Sequence, residues 1–284
     1  FKNPAKPPEQ GFFQISNTAI VFPNFNLTIY IMSTPNLFGI RYTYFLSGLI
    51  TLMLLFSCES EEDFSCIIDR NTPTEQKSQL DYFDRLGLYV EGNVTIKQGK
   101  ESSIVLKGDS ALVDSLYTAV ENKKLIIELR SPYCAPNIPL EIIVTTPQLT
   151  EFTLAEKSHT VLSDFKNQQK LKIQLNSNST VELNELEELK ELDISLQEGA
   201  HIISQKKVNK VERLKVNIKG GGSFNGYPIV AQHVTIKIEG RGRCEVTALS
   251  RLTVDIVGNA NVYCMGMPTI HKRITGKGDV YFTN

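Results

Sequence analysis

The sequence carries almost no excess charge: 30 Lys and Arg stand against 31 Asp and Glu, a formal net charge of −1 over 284 residues. Nucleic-acid binders normally show clustered Lys and Arg on one face, so this balance removes the usual electrostatic case for one. Neither end carries a long charged tail. The chain also lacks an apolar run long enough to cross a bilayer. Its longest, Phe45 to Phe56, is about twelve residues where roughly 20 are needed. Histidine is scarce, four in all, and there are five cysteines. The whole chain, 41% hydrophobic and 21% charged, can bury a sizeable core in one or two domains.

The first methionine is Met32, so residues 1–31 read as an upstream extension. From Met32 the pattern is that of an export signal, with Arg41 ahead of the apolar run and small Ser57 before Cys58. The ending Leu55-Phe56-Ser57-Cys58 resembles a bacterial lipobox, in which the signal, here 32–57, is cut before a cysteine that is then lipidated. The alternative is an uncleaved interfacial anchor. The acidic run Glu59-Ser60-Glu61-Glu62-Asp63 resembles the surface-export signal of lipoproteins in the Bacteroidetes group, and it also reads as a solvated linker. Segment 58–79 is then an acidic tether, repelled by anionic headgroups while the lipid holds the chain at the membrane.

Internal self-similarity dominates the rest. The stretches LKIQLNSNSTVEL (171–183), LDISLQEGAHIIS (192–204), LKVNIKGGGSFNG (214–226), VTIKIEGRGRCEV (234–246), LTVDIVGNANVYC (252–264) and IHKRITGKGDVYF (270–282) share one pattern: alternation, break, alternation. Their anchors are Leu175, Leu196, Ile218, Ile238, Ile256 and Ile274, with Leu154 a weaker first copy, and the intervals are 21, 21, 22, 20, 18 and 18 residues. These lengths suit stacked solenoid turns. Period two on both sides of the break means strand, because strand side chains alternate faces. Two residues past the anchor stand Glu156, Ser177, Glu198, Gly220, Gly240, Gly258 and Gly276. Four past it stand Ser158, Ser179, Ala200, Gly222, Gly242, Ala260 and Gly278, small residues at a corner. The Gly-Arg-Gly of IEGRGRCEV is therefore a corner. A phosphate loop would need a helix after it, and CEVTAL resumes as strand.

The pattern predicts an all-β fold over 80–284: a parallel β-helix, or β-solenoid, of about seven regular turns behind an irregular β N-terminal part. In that part GLYVEGNVTIKQG, SSIVLKG, KKLIIEL and LEIIVTT are strand candidates, Asn122-Lys123 a turn and DSALVDSL a short helix. Leu171, Ile173, Leu175, Val216, Ile218, Val234, Ile236, Ile238, Val254 and Ile256 should line one interior. Lys172, Asp193 and Lys215 form one outward column; Lys237, Asp255 and Arg273 form another. Stacked at about 4.8 Å, these are register-setting charge ladders. They lack the facing carboxylates of a glycosidase and the carboxylate cluster of a metal site.

Candidate residues are few. Tyr263 and Tyr281 occupy equivalent outward positions, either as a binding strip or as a packing pair. His159 and His201 lie about 10 Å apart, too far to share a metal. With Cys58 assigned to lipid, Cys66, Cys134, Cys244 and Cys264 allow three complete pairings; Cys244 and Cys264 are also readable as buried free thiols. Ser110 and Ser115, in Asp109-Ser110-Ala111 and Asp114-Ser115-Leu116, resemble the short O-glycan acceptor motif of exported Bacteroidetes proteins. No metal or cofactor site emerges.

The glycine-cornered turns, VTIKQG (94–99), TTPQL (145–149) and the closing ITGKGDVYF (274–282) make residues 83–284 resemble the head-GIN domain family of "putative autotransporter adhesins". The resemblance implies a β-helical fold and an adhesin role, with no catalytic residues to transfer. The resulting expectation is a non-catalytic outer-membrane lipoprotein, facing the periplasm or exposed at the cell surface. It is held to the membrane by its N-terminal lipid, binds a glycan or protein ligand and binds no nucleic acid. The alternative is a carbohydrate-active β-helix enzyme, a polysaccharide lyase or glycosidase.

Overall fold

A computed structural model describes residues 19–21, 28–30, 66, 70–131, 134, 138–176, 178–197 and 199–283, with backbone alone at 19–21, 28–30 and 209–210. The chain divides into two units, Phe1–Asp63 and Phe64–Asn284. In the first, β1 (Ala19–Val21) pairs antiparallel with β2 (Thr28–Tyr30). The expected signal segment 32–57, Cys58 and the acidic run 59–63 lie outside the described residues.

The second unit opens with β3 (Pro73–Gln79), β4 (Arg85–Tyr89), β5 (Gly92–Gln98), β6 (Ser103–Asp109), α1 (Ser110–Ser115), β7 (Leu116–Glu121), β8 (Lys124–Leu129) and β9 (Glu141–Thr146). Strands β4 and β5 already form a stacked rung, parallel to β8 and β9 on one side. Beyond β8 and β9 the parallel stack ends. There β7 pairs antiparallel with β8, and β6 antiparallel with β9 and β3. Asn122 and Lys123, both at positive φ, make the expected β7–β8 turn. The expected helix is α1, capped by the buried Asp109 carboxylate, which accepts from Ala111 N at 2.9 Å.

Segment 73–79 corrects the expected tether: it is strand β3. Its sequence, PTEQKSQ, has no apolar side chain, and almost every residue is exposed. Backbone pairing to β6 holds it, so no hydrophobic alternation announces it, and a polar, charged strand is what a protected sheet edge needs.

The regular rungs follow as β10 (Glu151–Leu154), β11 (Ser158–Ser163), β12 (Lys170–Leu175), β13 (Thr180–Leu183), β14 (Glu191–Leu196), β15 (His201–Ser204), β16 (Val208–Gly220), β17 (Ser223–Gly240), β18 (Arg243–Gly258), β19 (Asn261–Met265), β20 (Thr269–Gly276) and β21 (Asp279–Thr283). The segments before the anchors stack in parallel as a first face, from β4 through β10 to β20, and those after the corner as a second, from β5 through β11 to β21. A short third face carries Phe165, Leu186, Val208, Ile229 and Ala231. The anchors Leu196, Ile218 and Ile238 are successive partners, as the repeat requires. All ten predicted interior residues are at most 1% exposed, so a slip of one residue would turn the whole core outward. The solenoid has about six turns, where the sequence pattern suggests about seven.

Gly220, Gly240, Gly258 and Gly276 all have positive φ, confirming the glycine corner in the later rungs. The earlier corners differ. Glu156 is not at positive φ, Ser177 and Glu198 lie outside the described residues, and among the described residues of the Leu196 corner Gly199 takes positive φ. NELEELKE is not helical: Glu185 and Glu188 take positive φ while Leu186 and Leu189 turn into the core.

One inward column runs Phe152, Ile173, Ile194, Val216, Ile236 and Val254, and then reaches Lys272 in the last described rung. Its Nζ meets Asp279 Oδ1 at 3.1 Å, both side chains about half exposed.

Candidate functional site

On the second face an outward column runs Val161, Glu182, Ile203, Asn225, Glu245, Tyr263, Tyr281. Its last members form an ordered cluster. The Tyr263 and Tyr281 rings stack with centroids 5.2 Å apart at 22°, a geometry that contributes beyond area alone. The Arg243 guanidinium lies 4.0 Å from the Tyr263 ring centroid. It also donates from Nε and Nη2 to Glu245 Oε1 at 2.8 and 2.6 Å. The Glu245 side chain is only 13% exposed against 51% for Arg243, so the carboxylate forms the floor and the cation lies above it. That hydrogen bond is the main reason the guanidinium is held even more firmly protonated. The structure therefore brings the two predicted tyrosines together and adds two residues that the sequence reading had placed only in a corner. Their signal was the register, in which Glu245 stands directly beside Tyr263.

Exposed apolar side chains are concentrated in the same rungs as this cluster. Among the described residues the exposed large hydrophobics are Tyr82, Leu249, Val257, Met267, Tyr281 and Phe282. All but Tyr82 belong to the last two rungs. Met267 is 97% exposed, and Phe282 occupies the inward column of Cys264 yet is 51% exposed, with no rung among the described residues stacked beyond it. The chain enters this unit at the opposite end of the column, where the backbone N–H groups of Arg70 and Thr72 donate to Asp109 at 3.2 and 3.0 Å. Contact-competent side chains thus lie far from the entry point.

The first face is charged and mostly self-paired. Lys215 Nζ meets Asp193 Oδ2 at 3.5 Å, Lys172 Nζ meets Glu151 Oε1 at 3.4 Å, and Arg273 Nε donates to Asp255 Oδ1 at 3.1 Å. Lys237 departs from its predicted partner Asp255 and binds Glu239 at 2.8 Å on its own strand. Arg213 binds Glu191 across one rung. Hydrogen bonds from Arg213, Lys237 and Arg273 hold the carboxyls of Glu191, Glu239 and Asp255 below their ordinary range.

The remaining candidates fall apart from one another. His159 and His201 share a column with Thr180 between them. His159 Nε2 lies 3.5 Å from Glu182, and His201 Nδ1 lies 2.7 Å from Ser223 Oγ. Among the described residues no group of three His, Cys, Asp or Glu could hold a metal, and no helix is long and apolar enough to cross a membrane. Of the three possible pairing patterns, the structure joins Cys66 to Cys134 and leaves Cys244 and Cys264 as buried thiols. Burial pushes both thiols up, Cys244 the more strongly. Ser110 opens α1, and Ser115 Oγ donates to Leu112 O at 2.7 Å. Cys58, the expected lipid site, is outside the described residues.

A family profile described as "Putative auto-transporter adhesin, head GIN domain" matches residues 82–268. Solved structures share the fold. One, described as a putative adhesin from Bacteroides fragilis, has a TM-score of 0.65 at 15% identity, over 75% of this chain and 96% of that one. A putative adhesin from Parabacteroides merdae has a TM-score of 0.63 at 17% identity, over 76% and 98%. A protein from Parabacteroides distasonis described as a putative lipid binding protein has a TM-score of 0.62 at 19% identity, again over 76% and 98%. No curated protein matches the chain.

Proposed function

From the premise that the chain belongs to the head GIN family of "putative auto-transporter adhesins", we propose that it is a non-catalytic adhesin of the cell envelope, anchored by lipid at Cys58 and binding through the far end of its solenoid. The observation that carries this reading is polarity along the column. The chain enters at one end, and the exposed Met267, Tyr281 and Phe282 lie in the rungs at the other, Tyr281 stacked on the Tyr263 that Arg243 covers. Large exposed apolar groups are costly to leave in water and commonly mark contact surfaces. Aromatic and Arg side chains are also the types that dominate binding energy when a partner covers them. Lipid at the entry end would present this tip outward from the outer membrane, and a glycan or protein is the ligand class in keeping with it.

The test uses beads coated with purified protein and passed under shear over mucin, matrix-protein and bacterial-envelope surfaces. Retention above that of blank beads on at least one surface is expected, with clear loss in a Tyr281→Ser, Phe282→Ser double variant that keeps its melting temperature. Beads no better retained than blanks on every surface would overturn the reading.

A further inference from the structure

A strip of polar side chains lies on the first face, over the rungs of Leu175, Leu196 and Ile218. The positions just before and just after each anchor point outward together, because side chains alternate with period two. Here they carry Gln174, Ser195 and Asn217 in one column, register partners in adjacent strands. Asn176, Gln197 and Lys219 form the next, where Gln197 N donates to Leu175 O at 2.9 Å and continues the stack. These six side chains line a half-open cleft of about 260 Å³.

This window differs from the rest of its face. To one side the columns are ion-paired, Lys172 with Glu151 and Lys215 with Asp193. One rung further along, the Lys237–Glu239 pair closes the cleft. Between these, the side chains of Asn176, Ser195, Gln197 and Asn217 make no hydrogen bond to another described residue, although neighbours at rung spacing could pair as amide ladders. Each free amide offers two donors and one acceptor, and each hydroxyl one donor and two lone pairs. Lys219 forms no salt bridge with a described residue, and its ammonium is a further donor at the edge of the strip.

We propose that this cleft binds a neutral, hydroxyl-rich chain, a glycan laid along the solenoid axis across the three rungs. The match is chemical. A sugar presents adjacent hydroxyls that each donate and accept, and an amide side chain can serve both at once. Adjacent rungs repeat at about 4.8 Å, so the strip spans about 10 Å, a length of a few sugar rings. A polyanion would find one cation unpaired among the described residues, Lys219, beside ladders whose ions satisfy one another, so hydroxyl groups match the strip better. The cleft is shallow and holds no aromatic platform, so affinity for one short glycan is low, with Kd on the order of 1 mM. Several copies on one membrane would gain through multivalency.

This inference rests on the reading of the chain as a binding module but uses a different face from the aromatic cluster. Its test is titration of the purified protein with cellotetraose, mannotetraose and chitotetraose, followed by NMR shifts of side-chain amides. At least one is expected to bind and to move the Asn217 and Gln197 amide signals. Asn217→Ala and Gln197→Ala should each weaken it by about three- to tenfold, the loss of one or two hydrogen bonds. Lys172→Ala, in the ion-paired column, should leave it unchanged. Binding of none of the three, or binding that Asn217→Ala and Gln197→Ala leave intact, overturns the proposal, as does binding abolished by salt and by Lys219→Ala alone. Bead retention at the tip, measured separately, stands or falls independently of these titrations.

Discussion

A Cβ added to Gly258 would stand 2.3 Å from the carbonyl oxygen of Gly240, one rung earlier. The same relationship recurs between Gly240 and the Gly220 oxygen at 2.6 Å, and between Gly276 and the Gly258 oxygen at 2.2 Å. Each is fixed twice, by a left-handed backbone and by a neighbouring corner that leaves no room for a side chain. The column is therefore cooperative, with each corner forming the wall of the next.

Gly240→Val should accordingly destabilise the fold by about 1–3 kcal/mol, lowering the melting temperature by several degrees. Gly221→Ala is the contrast, since a Cβ there meets nothing within 4 Å. It should melt within experimental error of the parent. Equal melting of Gly240→Val and parent would show that the corners tolerate side chains.

The buried thiols make a chemical prediction. Thiolate is the reactive form, and burial pushes both Cys244 and Cys264 away from it. In a Cys58→Ser protein with Cys66 and Cys134 joined, a colourimetric thiol reagent at pH about 8 should find no reactive group in the native state and both cysteines in denaturant. Rapid native labelling would place one of these thiols at the surface.

Acid should weaken the fold in a defined window. The carboxyls of Glu191, Glu239 and Asp255 are held low by hydrogen bonds from Arg213, Lys237 and Arg273. Asp279 is held low first by the Val280 N–H and then by Lys272. A folded pKa below the unfolded one means that the unfolded chain binds more protons, so stability is complete above the unfolded value and declines as pH falls through the folded one. The urea midpoint should be flat near neutrality and drop below pH about 4. All four groups face solvent, so the drop should be modest and smaller in high salt. A midpoint that rises on acidification would contradict the ladder.

The lipid anchor is tested at one atom. Two acyl chains give stable membrane attachment, where one chain gives only marginal binding. Cys58→Ala should move the protein from the membrane fraction to the soluble fraction. Equal retention would sink the lipoprotein reading.

Most of the repeat was legible because it is written twice, as alternation and as small residues at fixed offsets. Leu196, Ile218 and Ile238 could be stacked from the sequence, since any other register would expose them. β3 was not legible: its side chains bury nothing, and its pairing uses backbone groups that every residue has. The early corners were only half visible, because Glu156 stands where the later rungs have glycine and Gly199 takes positive φ one position past the glycine column. The contact of Arg243 with Tyr263 was hidden for a different reason. It joins a residue just past one corner to the adjacent column of the next rung, so it depends on side-chain direction as well as register. The amide window needed the structure too, since its distinction lies in which neighbours do not pair.

Lys272 has a consequence for the life of the protein in a crowded envelope. Parallel rungs repeating at one spacing are a template for further copies, and the rung of the half-exposed Phe282 is the apolar surface on which one would stack. Wherever the column before it is aliphatic, a rung can be laid on top at little cost. At Lys272 an incoming copy would have to strip water from an ammonium and from its partner Asp279, and burying such a pair seldom repays the desolvation. The Lys272–Asp279 pair thereby disfavours the stacking of a second copy on this rung.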